Sequence, residues 1–208
     1  MFLPRIYPIT DTRLSKLSHA EQVEKLIGGG ARFIQLREKY GAARDFFDDA
    51  AKAVEIARKH GVKIIINDRV DIALALGADG VHLGQDDLPP AEARKILGAP
   101  AIIGFSTHNL QQAVEAVKLP VDYIAAGPVF PTRTKENPES VVGLETIKNI
   151  RKEIGVFPLV AIGGITSANF FDVLKLGADS VAVIGDLLSA PDKISEKFKE
   201  FSLNQIDK

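Results

Sequence analysis

Eight short apolar segments alternate with helix-like segments along the chain, and this alternation constrains the fold more than any other feature. Eight segments have the 3.6-residue period of amphipathic helices, and several end in glycine, as helix C-termini do. Strands separated by helices form parallel βαβ units, so eight repeats predict a (β/α)8 TIM barrel of the α/β class. The apolar segments are RIYPIT, RFIQLR, VKIIIND, GVHLG, AIIGFST, YIAAGPVF, PLVAIGG and SVAVIG.

A weak internal repeat supports the barrel against an open doubly wound sheet. GARFIQL, GADGVHL, PVDYIAA and GADSVAV each lead from a helix-ending turn into an even-numbered strand. An open sheet would usually have fewer strands and a glycine-rich fingerprint after the first strand, where this chain has TDTRLS. No linker or shift in composition marks a second domain. We expect one domain over residues 1–208, with a loosely held tail from about residue 202.

The composition excludes several classes of function. Lys and Arg number 26 against 27 Asp and Glu, without blocks of like charge, which disfavours nucleic acid and anionic membranes as partners. The absence of cysteine excludes disulfides, thiolate nucleophiles and cysteine-ligated metals. The N-terminus lacks the features of a secretory signal, and no apolar run approaches the roughly 18 residues of a membrane span. We expect a soluble cytoplasmic protein whose chemistry uses histidine and carboxylates.

Polar side chains collect where the predicted strands end. The second strand ends in QLREK, and its alternation places Gln35, Arg37 and Lys39 on the face opposite Ile34 and Leu36. Because active sites of parallel barrels lie at the carboxyl ends of the strands, we expect the polar strand ends to meet at one mouth. The other strand ends contribute Asn67 and Asp68, then Gln85, Asp86 and Asp87, then Ser106, Thr107 and His108, and finally PTRTK at residues 131–135.

Two carboxylates in this set are candidate metal ligands. Taken singly, Asp68 and Asp87 could each cap the helix that follows, which is a common role at such junctions. Together, carboxylates on adjacent strands and cations from the second and sixth strands favour a divalent metal beside a polyphosphate. Asp68 and Asp87 are therefore the predicted ligands, with Asp86 left open as an alternative.

His82 shares a strand face with Gly80 and Gly84, which predicts an inward side chain. A hydrogen-bonded core histidine is favoured over a zinc ligand, because no His or Cys cluster accompanies it.

The last two strands end in small residues, in AIGGIT at 161–166 and VAVIGD at 181–186. Barrels often bind phosphate on backbone amides of the loops after strands seven and eight, and glycine permits close approach of the anion. These segments predict a phosphate site without naming the reaction.

Taken in order, five segments resemble the motifs of thiamine phosphate synthases, also called thiamine-phosphate pyrophosphorylases. The resemblance runs from about the first strand to the eighth with its spacing retained. It implies a transferase of thiamine biosynthesis that joins hydroxymethylpyrimidine diphosphate to hydroxyethylthiazole phosphate, giving thiamine phosphate and diphosphate with the help of Mg²⁺. The segments are QLREK (35–39), INDRVDIALALGADGVHLGQDDLP (66–89), GFSTH (104–108), GPVFPTRTK (127–135) and AIGGI (161–165).

The resemblance also implies roles for individual positions. Asp68 and Asp87 would bind Mg²⁺. The pyrimidine diphosphate would be held by Gln35, Leu36, Arg37, Glu38, Lys39, Asn67, Ser106 and Lys135, of which Arg37, Lys39, Ser106 and Lys135 would be catalytic. The thiazole phosphate would be held by Thr132, Arg133, Thr134, Gly163, Gly164, Ile184 and Gly185.

The chemistry is consistent with this assignment, and two other functions stay open. Loss of diphosphate leaves a resonance-stabilised pyrimidinylmethyl cation, which the thiazole nitrogen attacks without a protein nucleophile. The family usually has serine where this chain has Gly185. One alternative is the related thiazole tautomerase, an isomerase with a catalytic histidine where Pro128 stands and without the HLGQ-type segment; the other is a non-catalytic thiazole phosphate-binding barrel. The sequence is compatible with a homo-oligomer but does not determine the oligomeric state.

Overall fold

Eight parallel strands close into a barrel in the order in which they occur along the chain. The structure, a computed structural model, describes residues 3–132, 134 and 140–203. The strands are β1 Ile6–Thr10, β2 Phe33–Leu36, β3 Lys63–Asn67, β4 Gly80–Leu83, β5 Ile102–Thr107, β6 Tyr123–Ala126, β7 Leu159–Ile162 and β8 Ser180–Val183. The predicted TIM barrel is therefore confirmed.

Helices follow the strands around the outside of the barrel. None of those in the described part of the chain is long and apolar enough to cross a membrane. They are α1 Thr12–Ser15, α2 His19–Gly28, α3 Ala43–Lys59, α4 Val70–Leu76, α5 Pro90–Leu97, α6 Leu110–Ala116, α7 Gly143–Ile154, α8 Phe170–Lys175, α9 Gly185–Leu188 and α10 Ile194–Leu203, with a 3-10 turn at Pro191–Lys193 before α10.

The structure corrects the predicted elements in three places. Strand β6 ends at Ala126 rather than Phe130, because Pro128 has no N–H to donate to the ladder. The short helices α1 and α9 were not predicted, since a single turn shows no hydrophobic period. Helix α10 extends through Leu203, so the segment from 202 begins as helix, and residues 204–208 lie outside the described residues.

Alternation along the strands divides the core into two layers. Tyr7, Ile9, Ile65 and Tyr123 belong to the cluster inside the barrel. Their neighbours along the strands, such as Ile64 and Ile66, belong to the larger cluster that includes buried residues of the helices. Because successive strand side chains point to opposite faces, almost wholly apolar strands supply both layers.

The repeated turns before β4, β6 and β8 are built around an aspartate. The carboxylates of Asp79, Asp122 and Asp179 each accept a hydrogen bond at 2.8 Å from a backbone N–H in the preceding odd-numbered strand. Arginines from α5 and α7 add ion pairs, Arg94 to Asp122 at 2.7 Å and Arg151 to Asp179 at 2.6 Å. The shared aspartate contacts explain three of the four copies of the sequence repeat. These contacts lie at the amino ends of the strands, a barrel face associated with stability.

We expect Arg94→Ala to destabilise the fold by about 2 kcal/mol, because its guanidinium also donates to the carbonyl oxygens of Ala101 and Pro120. Urea unfolding measures the change. Lys118→Ala is the matched control, since its pair with Glu115 is an exposed i,i+3 contact and should contribute less than about 0.5 kcal/mol. Equal stability of the two variants would contradict the assignment.

Candidate functional site

A cavity of about 960 Å³ opens at the carboxyl ends of the strands. The barrel closure brings to it thirteen of the predicted site residues, which come from seven different stretches of the chain. They are Gln35, Arg37, Lys39, Asn67, Asp68, Asp87, Ser106, Thr132, Thr134, Gly163, Gly164, Ile184 and Gly185.

Two of the predicted residues that the structure describes, Leu36 and Glu38, are not among those that line it. Leu36 is fully buried in the outer core between barrel and helices, because its position on β2 points away from the barrel interior. Glu38 is turned toward the β1 side, where it accepts hydrogen bonds from Thr12 and from the backbone N–H groups of Tyr40 and Gly41. Its contacts support the loop that carries Lys39 and do not place it against a ligand in the cavity. Arg133 and Lys135 lie outside the described residues.

The carboxylates of Asp68 and Asp87 interact at the ends of β3 and β4. Burial and the neighbouring Asp87 raise the pKa of Asp68 to about 6, although Lys39 acts in the opposite direction. Asp87 accepts a hydrogen bond from the backbone N–H of Gly84 at 2.7 Å. Neither carboxylate caps the helix that follows, since α4 and α5 both lack a side-chain cap. The capping alternative is therefore wrong for both residues.

The backbone and a lysine hold Asp68 in place. Its φ of 61° is in the left-handed region, which non-glycine residues seldom occupy and where strain often accompanies function. Its N–H donates to the carbonyl oxygen of His82 at 2.8 Å, and its carboxylate pairs with Lys39. Asp86 is exposed at the rim of the same cavity.

This donor set fits Mg²⁺. The described residues contain no group of three or more His, Cys, Asp or Glu able to hold a metal. Magnesium, however, commonly takes only one or two protein carboxylates beside substrate phosphates and water. A divalent cation would also relieve the repulsion between these two neighbouring carboxylates, which contributes to the raised pKa of Asp68.

Arg37 faces the cavity but is already paired. Its guanidinium donates to the carboxylate of Asp11 at 2.6 Å, and both side chains are nearly buried. The other oxygen of Asp11 accepts from the backbone N–H groups of Arg13 and Leu14, which begins α1. Asp11 thus fixes the direction of the Arg37 side chain. The sequence did not indicate this role, because Asp11 follows β1 whereas Arg37 follows β2, and only the fold brings the two together.

Asn67 has a free donor. Its Nδ2 atom is buried and has no hydrogen-bond partner within the described ranges, while the residue lines the cavity. A buried amide without an acceptor is costly. The geometry therefore favours an acceptor atom on a bound ligand at this position.

The floor of the barrel carries a line of hydrogen-bonded side chains. His82 points inward, as predicted, with Nδ1 3.0 Å from Oη of Tyr123 and Nε2 2.9 Å from Oγ of Ser106. Oη of Tyr123 lies 3.0 Å from Oη of Tyr7, to which Nε2 of Gln35 donates at 2.9 Å. Sequence reasoning missed both tyrosines. The available signal was a hydroxyl-bearing aromatic at an inward strand position.

The glycines at the ends of β7 and β8 differ in what they require. Gly163 and Gly164 have φ of 102° and 64°, and a Cβ on either would lie within 2.7 Å of the loop at 128–131. Loop packing alone therefore requires these two glycines. Gly185 has space with respect to the described residues, among which its Cβ would meet only Oγ1 of Thr134, at 3.6 Å. The backbone N–H groups of Gly164 and Gly185 have no acceptor among the described residues.

Comparison with known proteins agrees with this geometry. Residues 6–187 match the family described as thiamine monophosphate synthase. A thiamine-phosphate synthase of Chloroflexus aurantiacus is 44% identical over 90% of this chain and 87% of its own length. One from Clostridium novyi is 46% identical over 90% of this chain and 92% of its own. The structure of a thiamine phosphate pyrophosphorylase from Pyrococcus furiosus superposes with a TM-score of 0.85 at 38% identity, covering 96% of this chain and 94% of that one. The chain therefore belongs to the thiamine monophosphate synthase family.

Proposed function

We propose that the chain is a thiamine phosphate synthase, a transferase that joins hydroxymethylpyrimidine diphosphate to hydroxyethylthiazole phosphate and releases diphosphate. One observation carries the proposal: a single cavity has paired carboxylates with a lysine at β3 and β4, and across the barrel at β7 and β8 it has backbone amides without an acceptor among the described residues. The first group suits a metal-bound diphosphate and the second a monophosphate.

The diphosphate half of the site is assigned to β2, β3 and β4. Asp68 and Asp87 would hold Mg²⁺, which offsets negative charge on the departing diphosphate when bound. Lys39 and Arg37 add fixed positive charge at the same mouth, and Lys135 is proposed to do so from the loop after β6. Because the bond to diphosphate breaks before the new C–N bond forms, these charges stabilise the leaving group and no protein nucleophile is needed.

The pyrimidine end of that substrate is assigned to the barrel floor. Asn67 offers a free N–H donor there, and Gln35 and Ser106 line the same part of the cavity. A ring with nitrogen acceptors and an amino group satisfies such donors and leaves fewer buried polar groups unpaired. We assign these three residues to orienting the ring so that its methylene carbon faces the second substrate.

The thiazole phosphate is assigned to the ends of β7 and β8. The N–H groups of Gly164 and Gly185, which have no acceptor in the part of the chain that the structure describes, are donors suited to an anion. Thr132, Thr134 and Ile184 border the same space, and Gly163 shapes the turn. The binding would depend on backbone more than on side chains.

We expect Gly185→Ser to leave the KM for thiazole phosphate unchanged or to lower it by up to about fivefold, the equivalent of about one net hydrogen bond. The added hydroxyl has room beside Thr134. Gly185→Val is the matched comparison, because its methyl groups would fill the same space without a donor, and it should raise that KM. Steady-state kinetics with each substrate varied in turn provide both values. A higher KM in the serine variant would argue against a phosphate at this position.

The direct test is incubation with both substrates and Mg²⁺, followed by chromatographic detection of thiamine phosphate and diphosphate. We expect both products in equal amounts, and none when a chelator is in excess. Binding of thiazole phosphate without product would favour a non-catalytic barrel. Conversion of a thiazole carboxylate tautomer would favour the isomerase, although Pro128 lines the cavity where that enzyme is expected to need histidine. A cytoplasmic location and a homo-oligomeric state are not required by the proposal, and the composition is compatible with both.

A further inference from the structure

The five hydrogen-bonded residues of the barrel floor form a connected chain, which we call the floor relay. It links side chains from five strands. Four of its members line the cavity, and the exception is Tyr123. In order, the members are Gln35, Tyr7, Tyr123, His82 and Ser106.

The barrel is shaped to hold the centre of the relay. His82, Gly104 and Tyr123 are register partners on the adjacent strands β4, β5 and β6. The rings of His82 and Tyr123 stack over Gly104 with centroids 5.5 Å apart. A Cβ at Gly104 would lie 2.1 Å from Cζ of Tyr123 and 2.5 Å from Nδ1 of His82. Only glycine leaves space for this contact, so the hydrogen bond between the two rings is built into the strand packing.

The geometry favours neutral members throughout the relay, because His82 is buried and the partners of its two ring nitrogens among the described residues are hydroxyl groups and not carboxylates. Burial lowers the pKa of His82 to about 4, and burial raises the pKa values of Tyr7 and Tyr123 above the usual tyrosine value. Each hydroxyl therefore carries one proton, and the imidazole carries one proton on one of its two nitrogens. The relay then has two directions in which its protons could point.

Proton counting selects one direction. Tyr7 accepts a hydrogen bond from Nε2 of Gln35, so its own hydroxyl is free to donate to Oη of Tyr123. The hydroxyl of Tyr123 then donates to Nδ1 of His82. In the opposite direction Tyr7 would accept from both neighbours, and its proton would have no acceptor among the described residues. Tyr7 is only 1% exposed, and buried donors are almost always satisfied.

We propose that the floor relay fixes the neutral Nε2–H tautomer of His82 and thereby makes Ser106 a hydrogen-bond donor to the ligand. With Nδ1 occupied by Tyr123, Nε2–H donates to Oγ of Ser106, and the proton of Ser106 points into the cavity. Tyr123 and His82 are positioning residues, because they act through Ser106. The recognised group is an acceptor atom of the pyrimidine diphosphate, a phosphate oxygen or a ring nitrogen, so this inference rests on the proposed function.

The tautomer is tested first, without any substrate. Nitrogen-15 NMR of the imidazole rings, with His82 assigned from a His82→Asn variant, should show a protonated Nε2 and an unprotonated Nδ1. In Tyr123→Phe, which removes the donor to Nδ1, the two tautomers should become mixed. A proton on Nδ1 in the unaltered protein would overturn the proposal. This result does not depend on whether the chain makes thiamine phosphate, so failure of the proposed function is recognised separately in the product assay.

The effect on the ligand is tested with a double-mutant cycle. Tyr123→Phe should lower kcat/KM for the pyrimidine diphosphate about tenfold, the equivalent of one hydrogen bond, with the KM for thiazole phosphate changed by less than about twofold. In a Ser106→Ala background the same substitution should cost less than about twofold, because the residue it acts through is gone. A full tenfold loss in that background, or no loss in the unaltered one, would overturn the relay.

Ser180→Ala is the control for loss of a buried hydroxyl. Ser180 is fully buried in β8 and its hydroxyl has no partner in the described part of the chain. It should change neither the tautomer nor kcat/KM. A tenfold loss in this variant as well would attribute the Tyr123→Phe effect to general disturbance of the core and reject the relay.

Discussion

Asp68→Asn is expected to lower kcat/KM for thiamine phosphate formation by about 10³-fold and to raise the Mg²⁺ concentration needed for half-maximal rate. Asparagine keeps the side-chain shape and tolerates the left-handed backbone at φ 61°. The substitution therefore removes the charge while sparing the fold. In the proposed site, loss of one of the two carboxylates would weaken the binding of Mg²⁺, which would supply charge to offset the leaving diphosphate, and such electrostatic losses typically cost 10²- to 10³-fold. Initial rates over a Mg²⁺ titration measure both effects.

The control for this prediction is Asp71→Asn. Asp71 lies three residues further along, pairs with Arg69 on the surface and is not among the residues that line the cavity. It should behave as the unaltered enzyme. An Asp68→Asn enzyme with normal rate and normal Mg²⁺ dependence would remove Asp68 from the metal site and leave Asp86 as the alternative partner of Asp87.

Lys39→Ala is expected to lower kcat by about 10²- to 10³-fold, with a smaller effect on the KM for thiazole phosphate. The ammonium group is at the cavity mouth beside Asp68, where in the proposed reaction it would stabilise the charge that grows as diphosphate departs. Lys63→Ala is the matched control, since Lys63 is exposed at the amino end of β3 on the opposite face of the barrel. Single-turnover rates separate this loss from slow product release.

Near-normal turnover in Lys39→Ala would mean that the lysine only neutralises Asp68. The same comparison applies to Lys135→Ala, which we expect to cost about 2 to 4 kcal/mol of transition-state stabilisation. If only one of the two lysines is needed, the variants identify which of them acts on the leaving group.

The strand order of the fold and the polar strand ends of the cavity followed from local pattern. Alternation along β2 placed Gln35, Arg37 and Lys39 on one face because a strand has a period of two. The same rule would have excluded Leu36 and Glu38, which entered the predicted site only through the resemblance of QLREK to the family motif. A family motif identifies a segment of the chain, but the alternation of side chains along the strand decides which of its residues face the cavity.

What the sequence by itself determined was the succession of strands and helices, the parallel barrel and the polar residues at the strand ends, since each depends on neighbours a few positions away. The tertiary structure alone decided other partners: Asp11 with Arg37, and Tyr7 with Tyr123, which are 116 positions apart. It also decided that Gly163 and Gly164 are needed for loop packing whereas Gly185 is not. The physical reason is that hydrogen bonds, desolvation and van der Waals contact act over a few ångströms in space, and only closure of the barrel brings distant strands within that range.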